Sequence, residues 1–351
     1  MTILALDLAK SKSTFCNFNT VTGEVTFGDV ATKRARLREL LERVHPARVA
    51  IEICPLAGWV HDLVRELNIE IQVADPTQDA WKWKNVKRKT DEDDALKLAR
   101  LSALGQLNLV HIPSPKMRQW RRLVELRHAL VAERTRCKNR IRAILLQEEH
   151  HWPAGQRGWS LTRRAELSKL ARPLVECEST ELWRGVLFVE LRHLEQIEAL
   201  VADVEAKLDG LAATDARTVL LRTIPGIAQR TAEVIVTTID QARRFKTARQ
   251  VASYAGLTPR RFQSGQMDRQ GRISKRGSRL LRQLLNQAAW MAVRWNRHLR
   301  AVYLRISGGV RARRKLAIVA VMRKLLVTAW AMLRDKRAYR PPRVLPALAV
   351  A

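Results

Sequence analysis

Apolar residues come in short blocks or alternate with polar ones through the first hundred positions, and afterwards recur at steps of three and four. TILALDL, STFCNFN and GEVTFGD read as three short strands, the first two joined by a tight turn at Lys10–Lys12. RARLRELLERV is predicted as a helix, ARVAIEI as a strand, GWVHDLVREL as a helix and NIEIQVAD as a strand ending near Pro76. TDEDDALKLARLSAL completes the region as a helix whose acidic first turn suits the positive end of the helix dipole. Three strands followed by helix–strand–helix–strand–helix specify an α/β domain, a mixed sheet with helices packed on it.

Strand character is lost over residues 115–148, where Leu123, Leu130, Cys137 and Ile144 recur every seven positions among many Arg and Lys. A second long helix is predicted over 183–211, with Leu187, Leu191, Leu194, Val201, Val204, Leu208 and Leu211 on one stripe. The pair forms either an antiparallel hairpin or a dimerising coiled coil. The linking HHWPAGQRGWS turns the chain. His150 and His151 there are read as surface residues, because no acid or Cys is spaced to join them on a metal.

From residue 216 the pattern is mainly helical. TIPGIAQRTAEVIVTTI is a Pro-Gly turn and a helix, compatible with a phosphate-binding helical hairpin or with a plain turn in a small bundle. ARQVASYAGL is a short helix, GLTPRRFQSGQMDRQGRISKRGS a Gly-rich basic loop, and helices resume to about residue 337 before a loose tail. The apolar KLAIVAVMRKLLVTAWAML carries Arg323 and Lys324 at its centre, which suits a buried or DNA-facing helix and not a membrane span. Three domains are expected, at 1–110, 111–214 and 215–351.

Charge decides the partner. The 351 residues include 64 Lys+Arg against 34 Asp+Glu, a formal net charge of +30. Residues 241–351 hold 27 of the basic side chains and two acids, Asp268 and Asp335. Such a segment is stable against its own repulsion when phosphate neutralises it, so the expected partner is nucleic acid. Cys16, Cys54, Cys137 and Cys177 are scattered without a C-x-x-C pair, which argues against zinc or a disulfide framework and for a reducing, cytoplasmic setting. The N-terminal apolar run is too short for a signal peptide and is interrupted by Asp7.

Asp7 ends the apolar ILALD, Glu52 sits inside VAIEI, and Asp91 and Asp94 lie three apart on a predicted helix. A carboxylate in an apolar strand needs a cation or a donor to offset its desolvation. Together the four could hold one or two Mg²⁺ ions. The element order matches the ribonuclease-H-like fold, whose metal site is built from acids on two strands and a late helix. Just before Asp91, WKWKNVKRK sets Trp81 and Trp83 among Lys84, Lys87, Arg88 and two further lysines, a pattern for stacking on unpaired bases while cations track the backbone. Ser264, in RRFQSGQ, is a candidate nucleophile for a phosphodiester, with Arg260, Arg261, Arg269, Arg272, Lys275 and Arg276 nearby to bind phosphate. On chemistry alone Ser274 and Ser278 compete with it, and a Ser-Gly pair is also an ordinary turn.

With these motifs the chain resembles the DEDD transposases of insertion sequences, serine-dependent recombinases guided by a bridge RNA. ALDLAK, the strand ending IE and KTDEDDA are similar to that family's acidic domain, itself similar to the junction resolvase RuvC. IPGI, YAGLTPRRFQSGQ and ISKRGSRLLRQLL follow its mainly α C-terminal transposase domain in the same order. The resemblance implies that Asp7, Glu52, Asp91 and Asp94 are the metal-binding acids and Ser264 the nucleophile. It further implies a phosphoserine link to DNA, donor and target DNA and a structured RNA as partners, and a dimer or tetramer whose acidic domain faces another subunit's serine. One departure is ICPLAG after Glu52, where the family runs into a Thr/Gly-rich turn. A metal-dependent junction endonuclease and a non-catalytic nucleic-acid scaffold are the alternative functions.

Overall fold

The computed structural model describes residues 1–76, 90–152, 156–264 and 267–341, in two compact units, Met1–Lys116 and Met117–Ala351. The first unit is a five-stranded sheet in the order β3-β2-β1-β4-β5. β1 (Thr2–Asp7), β2 (Lys12–Asn19) and β3 (Val25–Ala31) form an antiparallel meander, while β4 (Arg48–Glu52) and β5 (Glu70–Ala74) run parallel to β1. α1 (Arg34–Val44) and α2 (Ala57–Glu66) supply the two crossovers.

The strand period of two sorts the central side chains by face. Leu4, Leu6, Val49 and Ile51 are buried with Leu37, Leu41, Val60 and Leu63 of α1 and α2. Ile3, Ala5, Cys16 and Ala50 are buried on the opposite face with Ala95, Leu98 and Ala99 of α3 (Asp91–Ala103). The small residues Ala5, Ala50, Ala95 and Ala99 let α3 approach the sheet closely, and α3 packs chiefly on β1 and β2.

In the second unit α4 (Pro115–Gln147) and α6 (Leu182–Thr214) lie antiparallel, with α5 (Leu161–Leu170) between them in sequence. Arg127 pairs with Glu205 and Arg140 with Glu190, so partners recede along α6 as α4 advances. Every residue of the two predicted stripes lies in a core or packs against one. α7 (Ala216–Leu221), α8 (Gln229–Ile239), α9 (Ala248–Tyr254), α10 (Arg279–Trp295), α11 (Arg297–Ser307) and α12 (Arg314–Asp335) form a helical bundle. Its core takes in Met117, Trp120, Val124 and Leu208 from the ends of the long helices.

Gly226 of the IPGI turn explains itself by packing. Its φ is +97°, and a Cβ there would lie 2.8 Å from the Ala292 nitrogen and 2.9 Å from the Ala288 oxygen of α10. With Ile224 and Ile227 buried on either side, the turn serves the bundle. α12 is long and apolar enough to cross a membrane by length and composition, and half of its most apolar window is buried, with Val321, Leu325, Leu326 and Ala329 in the core.

Sequence reading goes astray at the basic segment after α9, expected as a loop. It is an antiparallel hairpin of β6 (Pro259–Ser264) and β7 (Met267–Ile273). Every residue of β6 is exposed, so no buried face exists to impose the apolar alternation by which strands are recognised.

Candidate acidic centre and serine hairpin

Backbone register places the first two acids. Ala5 pairs with Ala50 and Leu6 with Ile51, so Asp7 and Glu52 are the next residues of adjacent parallel strands. Asp7 continues the Ile3–Ala5 row and Glu52 follows Ala50, so both lie on the α3 face. The Ile53 amide still donates to the Ala74 oxygen at 2.9 Å, which keeps the ladder intact past Glu52 even though ICPLAG replaces the expected turn.

α3 runs against these strands. At its C-terminal end Arg48 Nη1 donates to the Ser102 oxygen at 3.2 Å, and Ser102 Oγ donates to Gln72 Oε1 at 2.8 Å. From Arg48 to Glu52 the strand advances ~13 Å, and from Ser102 back to Asp94 the helix retreats ~12 Å. Asp94 is therefore carried to the end of the sheet where β1 and β4 finish in Asp7 and Glu52. Asp91 and Asp94 precede Ala95 and Leu98 by one turn, on the helix face that meets the sheet. All four acids are thus delivered to one face and one end of the sheet. Asp7, Glu52 and Asp94 are half-buried and Asp91 is exposed, which leaves room for water in a cation's shell. Oxygen donors with retained solvent fit Mg²⁺.

The structure also separates Asp94 from its neighbour. Thr90 and Asp93 form a reciprocal capping box: Asp93 N donates to Thr90 Oγ1 at 3.2 Å, while Thr90 N and Oγ1 donate to Asp93 Oδ2 at 3.2 and 2.7 Å. Asp93 is occupied with starting the helix. Beside the acids, Lys12 Nζ donates to Asp29 Oδ2 at 2.8 Å and Thr14 Oγ1 to Asp29 Oδ1 at 2.9 Å. Thr14 pairs with both Asp7 and Asp29 in register. The bond to Asp29 raises the Lys12 pKa, with a smaller push from Asp91; bonds from Lys12 and then Thr14 lower that of Asp29. Lys12, within reach of the charge of Asp91, carries no periodicity signal in the sequence.

Ser264 lies in the other unit, at the end of β6, where its pairing with Met267 closes the hairpin ladder. Phe262 opposite Arg269 shares its face, as does Arg260; Arg261 and Asp268 occupy the other, joined by bonds of 2.8 and 2.6 Å. Arg260, Arg261 and Arg269 are exposed, as are Arg272, Lys275 and Arg276, so the hairpin and its feet carry six exposed cationic side chains, of which Arg261 is paired with Asp268. The competing Ser278 caps α10, accepting from the Leu281 amide at 3.1 Å. Trp81, Trp83, Lys84, Lys87 and Arg88 lie outside the described residues.

The feet of the hairpin are tightly held. A Cβ on Gly256 would lie 2.2 Å from the Arg276 oxygen, and one on Gly277 2.0 Å from the Tyr254 oxygen; both have positive φ, +68° and +72°. Lys275 N donates to the Gly256 oxygen at 3.1 Å and Ser274 N to the Thr258 oxygen at 2.8 Å. Arg282 Nη1 reaches the oxygens of Ala255, Arg276 and Gly277 at 3.2, 2.6 and 3.1 Å.

A second cluster could hold a cation by distance: Cys137, Glu190 and His193 have ligand atoms within 4.8 Å of one another. Arg140 already donates to Glu190 at 2.7 and 3.0 Å and lies 3.4 Å from His193 Nδ1. Burial, and then the bond to Glu190, push the Cys137 thiol up to about 12. A protonated thiol and a carboxylate bound to guanidinium serve the helix pair.

Comparison with known proteins finds family matches in both units. A family profile described as Transposase, for the DEDD domain of IS110, matches residues 4–149, and one described as Transposase IS116/IS110/IS902 family matches residues 219–304. A Pseudomonas aeruginosa protein named Probable family 20 transposase is 30% identical over 317 residues, covering 88% of this chain and 90% of its own. The Coxiella burnetii transposase for insertion sequence element IS1111A is 25% identical over 345 residues, with 96% and 91% covered. The pilin gene-inverting protein of Moraxella bovis is 28% identical over 257 residues, with 72% and 69% covered. The Thermus thermophilus RuvC structure overlaps 31% of this chain and all of its own at 16% identity, with a TM-score of 0.24, too low to carry weight.

Proposed function

This chain belongs to the IS110 family of DEDD transposases, enzymes that cut and rejoin DNA, and on that premise we propose that it exchanges strands through a covalent bond between DNA and Ser264. The Ser264 oxygen attacks a backbone phosphorus, an Oγ–P bond forms, and the P–O bond to the departing sugar breaks. The hydroxyl proton ends on that sugar oxygen. A sugar hydroxyl of the exchanged strand then attacks the same phosphorus and releases the serine. Each step trades one phosphate ester for another, so no external energy is required. Arg260 and Arg269, on the face of Ser264, offset charge gathering on the phosphate oxygens.

Asp7, Glu52, Asp91 and Asp94 hold Mg²⁺ in this proposal, and the observation that carries it is their delivery to one face and one end of the sheet. Bound there, Mg²⁺ supplies a Lewis acid for phosphate oxygens. The labour divides among the acidic domain (1–110), the helical arms (111–214) and the basic serine domain (215–351). The acid site and the serine come from different subunits of a homo-oligomer, donor and target DNA are its substrates, and a structured RNA chooses them by base pairing. The pilin gene-inverting relative offers a parallel, since its name denotes the inversion of a gene.

The test is to trap a protein–DNA adduct under denaturing conditions. A slow-migrating band that disappears in Ser264→Ala supports the reading. Cleavage with free ends at wild-type rate in Ser264→Ala would establish the junction endonuclease instead, with water as nucleophile.

A further inference from the structure

A groove of about 750 Å³ opens beside the hairpin feet, between α4, α8 and the start of α10. Its lining includes Arg121, His128, Arg136, Tyr254, Arg279 and Gln283, and the acid on its walls is Glu125. Arg121 is fixed by bonds to the Thr237 oxygen at 2.5 and 3.2 Å, and Arg136 is held by Glu133. Arg279 is exposed and has no acidic partner among the described residues. It stands with Arg282 in the first turn of α10, which contains no acid, at the helix end where the dipole disfavours cations. Folding alone gains nothing from that placement, whereas an anion in the groove would turn it to advantage.

The groove also has an aromatic wall. Tyr254 is 39% exposed, with the Arg244 guanidinium 4.4 Å from its ring centroid and Phe245 packed edge-on at 5.3 Å. A ring so braced can receive a base on its open side at little entropic cost. The volume falls in the range of small-ligand sites, enough for one or two nucleotides and not for a double helix.

We propose that this groove seats an unpaired stretch of nucleic acid, a phosphate at Arg279 and Arg136 and a base against Tyr254. Gly277 belongs both to the groove wall and to the clamped foot of the hairpin. A strand lying in the groove is therefore led along the hairpin towards Ser264. Only this last direction rests on the proposed role of Ser264; the binding site itself does not.

The intact protein is titrated with a short fluorescein-labelled single strand, in deoxy and ribo form, and with the matching duplex, by anisotropy over a range of salt. Arg279→Gln is expected to weaken single-strand binding about threefold to tenfold and to flatten the salt dependence by ~0.7 in slope for the lost contact. Ala132→Trp, which fills the groove from α4 without changing charge, is expected to weaken it at least as much and leave the slope alone. Circular dichroism confirms that both variants are folded. Loss confined to the ribo or to the deoxy strand supports the site and says which strand uses it. Unchanged affinity in both variants, or an equal loss for duplex, overturns the proposal. The anisotropy readout involves no cleavage or joining of the strand, so failure of the serine chemistry and failure of the groove are read separately.

Discussion

Arg282 holds both feet of the serine hairpin through one nitrogen, and its replacement by Met would keep the aliphatic stem while removing the donors. Nη1 has two hydrogens for three carbonyls, so two full bonds is the ceiling. Charge-assisted bonds contribute about 1.5–3 kcal/mol each. Against that, burial first and Arg279 second hold the Arg282 pKa below its ordinary value, so part of the gain is already spent on keeping the cation there. The net expectation is about 2–3 kcal/mol. In a unit of the size of Met117–Ala351 that lowers Tm by ~4–10 °C. The informative assay is residue-resolved hydrogen exchange. The Ser274 and Lys275 amides, bonded to the Thr258 and Gly256 oxygens, should exchange about 30-fold faster or more if the feet open locally. Strand exchange should fall further than Tm implies, because Ser264 loses its fixed base. Unaltered exchange at both amides, with the loss of stability spread elsewhere, would refute the clamp.

Three further outcomes follow from single side chains. Asp93→Ala should cost about 1 kcal/mol of stability through the lost capping box yet leave recombination measurable, whereas Asp94→Asn should abolish it; equal loss in both would undo the division of labour between them. Glu233 is fully buried and its pKa is raised by burial against the pull of Arg230. An acid whose folded pKa is raised costs stability as pH climbs above its ordinary value, so Glu233→Gln should raise Tm at pH 7.5. That advantage should vanish below about 4.5, and a lower Tm at pH 7.5 would mean the Arg230 pair outweighs burial. Burial pushes Cys16 to about 11 and, with Glu190, Cys137 to about 12. In the folded protein these two should resist a thiol reagent at pH 8 while the half-buried Cys54 and Cys177 react; simultaneous labelling of all four would contradict the burial.

The placement of the four acids was legible because strand periodicity writes the face of a residue into the sequence. ILALD and VAIEI each put a carboxylate in phase with the alternate apolar row, and TDEDDALKLA put two more one turn ahead of the packing stripe. The long helices were equally plain from their seven-residue repeat. What could not be read is what depends on partners distant in sequence. Asp93 and Asp94 look alike until the capping box engages one of them. The serine hairpin passed for a loop because both its faces are wet. The groove draws its walls from α4, α8, α9 and α10, and no local pattern joins Arg121 to Arg279.

In the proposed reaction the four carboxylates and the serine act on one phosphate, and the yield of the covalent adduct reports on that shared target. With Mg²⁺ present and DNA binding verified, Asp7→Asn, Glu52→Gln, Asp91→Asn and Asp94→Asn should each reduce the Ser264 adduct about a hundredfold or more. An adduct formed at wild-type yield by the chain carrying all four substitutions would contradict the account.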